Sequence, residues 1–301
     1  MKLMVIDGNS IVNRAYYGIR PLSTRDGLYT HAIYGFLTTL QRLLDEEQPD
    51  ALCVTFDRKA PTFRHLAYEG YKAQRKGMPD ELASQMPILK DVLGAMNVPM
   101  YELDGWEADD LIGTISKKDA AAGWDTVIVT GDKDSLQLVT DTTTVKLVST
   151  RMGRTATRDM TPETFQEEYG FGPIHIIDLK ALMGDASDNI PGVKGVGEKT
   201  ATKIIEEYHS LENAYAHVDE IKPPRASKNL KEYWDQARMS KVLATIETHA
   251  DIPFDLEEAR RGDLYTPEAH TLFQQLQFKN LLSRFDVQAD ANKVEEHFRE
   301  V

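Results

Sequence analysis

Short apolar runs, each closed by an aspartate, alternate with amphipathic stretches through the first half of the chain. LMVID (3–7), ALCVTFD (51–57) and DTVIVTGD (125–132) are short and continuously apolar, as strands buried on both faces are. Between the first two, HAIYGFLTTLQRLLDEEQ (31–48) has helical periodicity and stops before Pro49. DELASQMPILKDVLGAMN (80–97) predicts a second amphipathic helix, followed by a short extended VPMYEL. EADDLIGTISKKDAAAG (107–123) predicts a third, ended by Gly123. Strands separated by helices imply a parallel sheet with right-handed crossovers. The working site of such a sheet lies beyond the carboxyl ends of its strands.

From about residue 160 the pattern is helical alone: PETFQEEY, IHIIDLKALMG, EKTATKIIEEY, SLENAYAHV, a basic stretch to His249, and PEAHTLFQQLQ. KPPR (222–225) reads as a loop. The expected division is an α/β core over 1–172, a smaller all-helical domain over 173–286, and a polar tail over 287–301.

Composition narrows the class. The chain has 301 residues, 41% hydrophobic and 28% charged, which suits a soluble globular protein. No apolar run approaches the roughly 18 residues of a membrane span. The first apolar run meets Asp7 after four residues, so it is not expected to be a signal peptide. The single cysteine, Cys53, sits in ALCVTF and allows no disulfide within the chain, so a cytoplasmic location is expected.

The net charge of −13 speaks against a general polyanion binder unless the charges are segregated. They are. Residues 58–76 hold six Lys/Arg against Glu69 alone, and 222–241 hold six against Glu232 and Asp235. The first segment also carries Phe63, Tyr68 and Tyr71; cations among aromatics suit stacking on bases as well as phosphate contact. Tyr71 and Lys76 are therefore candidate DNA contacts.

Asp7, Asp57 and Asp132 each end a strand, and a parallel topology gathers them on one sheet edge. GWEADDL adds Glu107, Asp109 and Asp110 at a helix start, with Glu107 and Asp110 on one face. TGDKD adds Asp134, and GDASDN adds Asp185 and Asp188. Two carboxylates about 4 Å apart repel by about 4 kcal/mol at an effective dielectric of about 20, so a convergent set must take up protons, disrupt the fold or hold cations. Hard oxygen donors without His or Cys select Mg²⁺ or Mn²⁺ over Zn²⁺.

GVKGVGEKT (192–200) misses the phosphate-binding P-loop, because Glu198 separates Gly197 from Lys199 and no strand precedes it. It fails the dinucleotide fingerprint as well, since Thr200 stands where a third glycine would be. What remains is a tight glycine turn between helices. Such a turn either serves as a structural corner or, as a helix-hairpin-helix, takes a DNA phosphate on its amides and the following helix N-terminus.

Taken in order, VIDGNS, VTFD, FRH…YKAQR, EADD, TGDKD and GDASDNIPGVKGVGEKTA resemble the 5′ nuclease (flap endonuclease) superfamily. Within it the chain is most similar to the 5′-to-3′ exonuclease domains at the N-terminus of bacterial DNA polymerase I, over about residues 1–286.

The resemblance implies a PIN-like parallel-sheet nuclease core with a helical arch near 60–88, plus a smaller helix-hairpin-helix domain. It implies metal-dependent hydrolysis at 5′ flaps, nicks or primer-bearing ends, including RNA primer ends, with a polymerase in cis or trans. Carried over by position, the metal carboxylates would be Asp7, Asp57, Glu107, Asp109, Asp110, Asp132, Asp134, Asp185 and Asp188, around two or more Mg²⁺ or Mn²⁺ ions. Lys72 and Arg75 would steady the scissile phosphate and Arg64 would contact another. Gly195, Gly197, Lys199 and Thr200 would grip the duplex, with K⁺ at the hairpin. DGLYTHAIYGF (26–36) resembles the segment that meets the duplex across the junction. Ser135 departs from the family, which commonly has an apolar residue there. Two other readings stand beside this one: a non-cleaving clamp for branched DNA, and a small-molecule phosphatase, which would need neither the basic aromatic segment nor the hairpin.

Overall fold

The computed structural model describes residues 1–151 and 154–285 and centres on a six-stranded sheet. Its strands are β1 (Lys2–Asp7), β2 (Ala51–Thr55), β3 (Met100–Tyr101), β4 (Asp125–Thr130), β5 (Thr143–Arg151) and β6 (Arg154–Met160). They run in the order 3-2-1-4-5-6, all parallel except β6, which turns back on β5. The antiparallel β5–β6 pair is absent from the hydrophobic pattern, because Thr, Lys and Arg fill this edge. The expected tail over 287–301 lies outside the described residues.

Alternation along the central strands divides the interior into two cores. Leu3, Val5, Ala51, Cys53 and Ile128 face one side; Met4, Ile6, Leu52, Val54, Val127 and Val129 face the other. Burying each such side chain contributes about 1.5–3 kcal/mol.

Helices α1 (Gly8–Gly18), α2 (His31–Glu47), α3 (Phe63–Ala67), α4 (Asp80–Ala83), α5 (Gln85–Ala95) and α6 (Ala108–Ala121) accompany the sheet. α2 ends where Gln48 takes a left-handed backbone ahead of Pro49. α1 follows β1 with no intervening loop and is capped by Asp7 itself. The expected arch region is only partly helical: α3 and α4 flank turns and coil over 68–79.

The second half contributes α7 (Pro162–Tyr169), α8 (Ile176–Met183), α9 (Glu198–Tyr208), α10 (Leu211–Ala216), α11 (Pro224–Glu232), α12 (Trp234–Ala244) and α13 (Pro267–Gln275). Pro224 opens α11, so the expected loop at 222–225 is shorter than its sequence suggested. α7 to α12 extend the first core: Leu179, Val193, Val196, Ile204 and Leu230 join the cluster that holds Leu3 and Val5. The chain then returns to the far side of the sheet, where Phe273, Phe278 and Phe285 pack into the second core with α2 and α5.

Candidate active site

The carboxyl ends of β1, β2 and β4 deliver Asp7, Asp57 and Asp132 to one cleft, and the N-terminus of α6 delivers Glu107 and Asp109 to the same place. The cleft holds about 340 Å³ and is bordered by Lys72, Arg75 and Lys76. Local hydrogen bonds aim each acid. Asp7 accepts Ser10 N–H at 2.9 Å and the Thr130 hydroxyl at 2.7 Å. Asp57 receives its own bond from Ala108 N–H at 2.7 Å, while its backbone N–H donates to Asn9 Oδ1 at 3.0 Å. Asp132 accepts Asp134 N–H at 2.9 Å. Asn9, Ser10 and Thr130 were not singled out by the sequence; they lie in the first turn of α1 and at the end of β4, beside Asp7 and Asp132.

The electrostatics are strained as a cation site requires. Burial, with added repulsion from Asp57 and Asp132, pushes Asp7 up to about 7 against its two hydrogen bonds. Burial and the charges of Asp7, Asp132 and Asp134 raise Asp109 well above its ordinary value. The Ser135 hydroxyl, at 3.4 Å, is directed at Asp109 Oδ1, which gives that departure from the family a polar partner.

Asp134, Asp185 and Asp188 extend the cleft through cations. Lys180, on α8, donates to both Asp134 and Asp185, the latter at 2.6 Å. Burial works against the charge of Asp185, yet hydrogen bonds from Lys180 and Ser187 prevail and hold it at about 2. Lys72 Nζ donates to Glu107 Oε1 at 2.7 Å, and its backbone N–H donates to Asp188 O at 2.9 Å. Arg75 pairs with Asp188 and donates from Nε to Ser187 O at 3.2 Å. Among the described residues no three acids are already gathered as a closed metal cage. Ammonium and guanidinium groups pair with the outer acids instead: Lys180 with Asp134 and Asp185, Lys72 with Glu107 and Arg75 with Asp188. Lys180 carried a faint sequence signal, the lone cation of IIDLKALM, where Asp178 is the one other charged residue.

Three expectations need correction. Asp110 does not face the cleft: it is fully buried and forms a two-pronged ion pair with Arg64, at 2.7 and 2.8 Å. Arg64 is therefore unavailable to DNA; its other donors end on Leu243 O and Thr245 O. Asp110 also accepts the N–H groups of Glu107 and Glu247. Tyr71 is no stacking platform either. Its ring is buried and its hydroxyl donates to Glu107 Oε2 at 3.0 Å.

The glycine turn lies between α8 and α9. Gly192 has φ +61° and crosses Gly184 so closely that a Cβ would stand 2.2 Å from Gly184 N. That crossing closes the loop carrying Asp185 and Asp188, pinned by paired bonds between Asp185 and Ile190. Val193 and Val196 are buried, whereas Gly195, Gly197 and Lys199 are exposed and Thr200 is half-buried. Gly197 caps the N-terminus of α9. Asn229 Nδ2 donates to Lys194 O at 2.6 Å and Gln236 Nε2 to Gly192 O at 2.7 Å, so α11 and α12 brace the turn.

Comparison with known proteins agrees with this layout. Residues 2–170 match the family model of the 5'-3' exonuclease N-terminal resolvase-like domain, and residues 171–266 match that of the 5'-3' exonuclease C-terminal SAM fold. DNA polymerase I of Caldicellulosiruptor bescii is 43% identical over 94% of this chain, and that of Bacillus subtilis 42% over 94%. The chain spans about a third of the length of these relatives, 33% and 32%. Among solved structures, the bacteriophage T5 D15 protein co-crystallised with metal ions shares the fold with a TM-score of 0.68 and 23% identity, covering 82% of this chain and 90% of that one. The catalytic core of Rad2 in complex with DNA substrate follows with a TM-score of 0.58 and 15% identity, over 91% and 87%. With a resolvase-like half and a helical half matched in sequence and in the same order as the two packed halves of the molecule, the chain belongs to the 5'-3' exonuclease family.

Proposed function

We propose that the chain hydrolyses phosphodiesters near the 5′ end of flapped, nicked or primer-bearing DNA. The observation that carries this reading is the convergence of acids from three strands and one helix on a cleft bordered by Lys72 and Arg75.

The acids fit divalent cations. Carboxylates that burial, and then their neighbours' charge, pushes toward neutrality, with oxygen donors alone, suit Mg²⁺ or Mn²⁺. Asp7, Asp109, Asp132, Asp134 and Asp185 would hold them, with Asp57, Glu107 and Asp188 on the surrounding walls. Divalent ions there supply the charge that acidifies an attacking water and stabilises the leaving oxygen.

The rest of the work belongs to side chains. Lys72 and Arg75 exchange Glu107 and Asp188 for the oxygens of the scissile phosphate, offsetting the charge that builds during displacement. Lys76 extends that contact along the strand. The amides at Gly195 and Gly197, with Lys199 and Thr200 at the start of α9, take duplex phosphates, and K⁺ is assigned to the hairpin carbonyls. Family membership supports the DNA substrate. Its relatives are DNA polymerases, which supports a polymerase partner in cis or trans and work on DNA in the bacterial cytoplasm, and RNA primer ends are proposed as a further substrate. No helix among the described residues is long and apolar enough to cross a membrane. Nothing in the comparisons favours a clamp that binds without cutting.

The test is cleavage of a 5′-labelled flap duplex in Mg²⁺ or EDTA, beside Asp109→Asn. Short 5′ products that require both metal and Asp109 are expected. Tight binding without cleavage in either Mg²⁺ or Mn²⁺ would reinstate the clamp. Asp110→Ala is unsuitable as the control, because it strands Arg64 in the interior.

A further inference from the structure

Positive charge is distributed unevenly among the cleft acids. Asp7, Asp57, Asp109 and Asp132 make no salt bridge among the described residues, whereas Asp134 and Asp185 share one ammonium, that of Lys180. The Lys180 side chain is only 12% exposed and donates to both carboxylates at once. Its partners come from different parts of the chain. Asp134 lies in the turn after β4, and Asp185 follows α8, the helix that carries Lys180.

We propose that Lys180 is a tethered counter-cation: it occupies the place between Asp134 and Asp185 that a divalent ion takes on loading, and so makes one metal position weaker than the other. The inference rests on the metal-site reading above. A divalent ion seated between Asp134 and Asp185 needs the space that the ammonium fills and is repelled by its charge, so the ion binds only the fraction of molecules in which Lys180 has let go. Its apparent affinity falls by that fraction. Without metal, the same ammonium keeps two half-buried carboxylates from facing each other uncompensated. Lys180 is thus a positioning residue that acts through Asp134 and Asp185.

The experiment is calorimetric titration of Mn²⁺ into the wild type, Lys180→Met and Lys180→Arg, together with thermal melts in EDTA. Lys180→Met keeps the length of the side chain and removes its charge. It should tighten the weaker Mn²⁺ affinity about tenfold, the change expected if Lys180 is released in about one molecule in ten. It should also melt lower in EDTA and gain more from Mn²⁺ than the wild type does. Lys180→Arg, which retains the charge, should leave the weaker position weak. A folded Lys180→Met whose weaker Mn²⁺ affinity is unchanged or looser overturns the proposal, whatever its melting temperature. Should it fail to fold in EDTA, Lys180→Gln is read by the same titration and the same criterion. A wild type that binds no Mn²⁺ overturns the metal-site reading itself; a wild type that binds two ions with no change in the variants overturns this inference alone.

Discussion

Arg64 and Asp110 close a buried two-pronged ion pair, at 2.7 and 2.8 Å, with side chains 3% and 0% exposed. Arg64 enters from α3 and Asp110 from the first turn of α6, while the remaining guanidinium donors end on carbonyls at the close of α12. Three parts of the chain are thereby locked at one point. Removing one partner of such a pair leaves an uncompensated charge and costs about 3–5 kcal/mol, whereas replacing both with apolar groups costs far less. Arg64→Ala should therefore lower stability by that amount in urea denaturation, and Arg64→Met with Asp110→Leu should recover most of it. Equal losses in the single and double variants would show that a stranded charge is not the source of the cost, and an Arg64→Ala as stable as the wild type would show that the pair contributes nothing.

Lys72 touches Glu107 and lies 3.9 Å from Asp188, a place beside the acids that suits the part in the chemistry proposed for it. Lys72→Ala should lower single-turnover cleavage by about 10²–10³-fold, the scale of losing one transition-state donor, with little change in flap affinity. Parallel losses in rate and affinity would assign it to binding.

Gly195 has φ +78°, and a Cβ there would stand 3.1 Å from Asn229 Nδ2 and 3.5 Å from the Arg225 guanidinium. A β-branched residue in this left-handed conformation costs about 1–3 kcal/mol locally and pushes aside the side chain that braces Lys194 O. Gly195→Val should weaken duplex binding while leaving cleavage at saturating DNA intact. Unchanged affinity in the folded variant would remove the turn from the duplex interface.

Glu47, distant from the cleft, sits between Lys146 at 2.9 Å and Lys2 at 3.0 Å. Burial opposes its charge, but hydrogen bonds from Lys146 and Lys2 prevail and hold it below the usual carboxylate value. A depressed acid adds stability that is present above its unfolded value of about 4.3 and lost as the pH falls through its folded one. Glu47→Gln should cost about 1 kcal/mol near neutrality. Its melting temperature should converge on that of the wild type as the pH is lowered from about 5 to about 3, which thermal melts across that range would test.

The strand-end acids were legible because a buried parallel strand is a continuous apolar run, and the residue ending it must point beyond the sheet edge. Asp7, Asp57 and Asp132 lie where that logic puts them. Spacing misled at Asp110. It does share a helix face with Glu107, whose N–H it accepts, but what it turns toward is Arg64, 46 positions away, and no local pattern carries such a pairing. Tyr71 failed for a related reason, since an aromatic among cations reads alike whether its ring meets a base or a core. The β5–β6 hairpin was invisible because this sheet edge has few apolar residues to reveal a period of two.

Val193 and Val196, flanking the turn proposed to hold the duplex, are rooted in the same apolar cluster as Leu3 and Val5, on the strand that ends in Asp7. Among the described residues no hinge of exposed linker separates the hairpin from the cleft. Under the proposed function this packing would make the molecule a caliper with fixed jaws: a duplex seated at the glycine turn would present the same phosphate to the acids however long the loose strand beyond it, and the point of scission would be measured from the paired region and not counted from the free end.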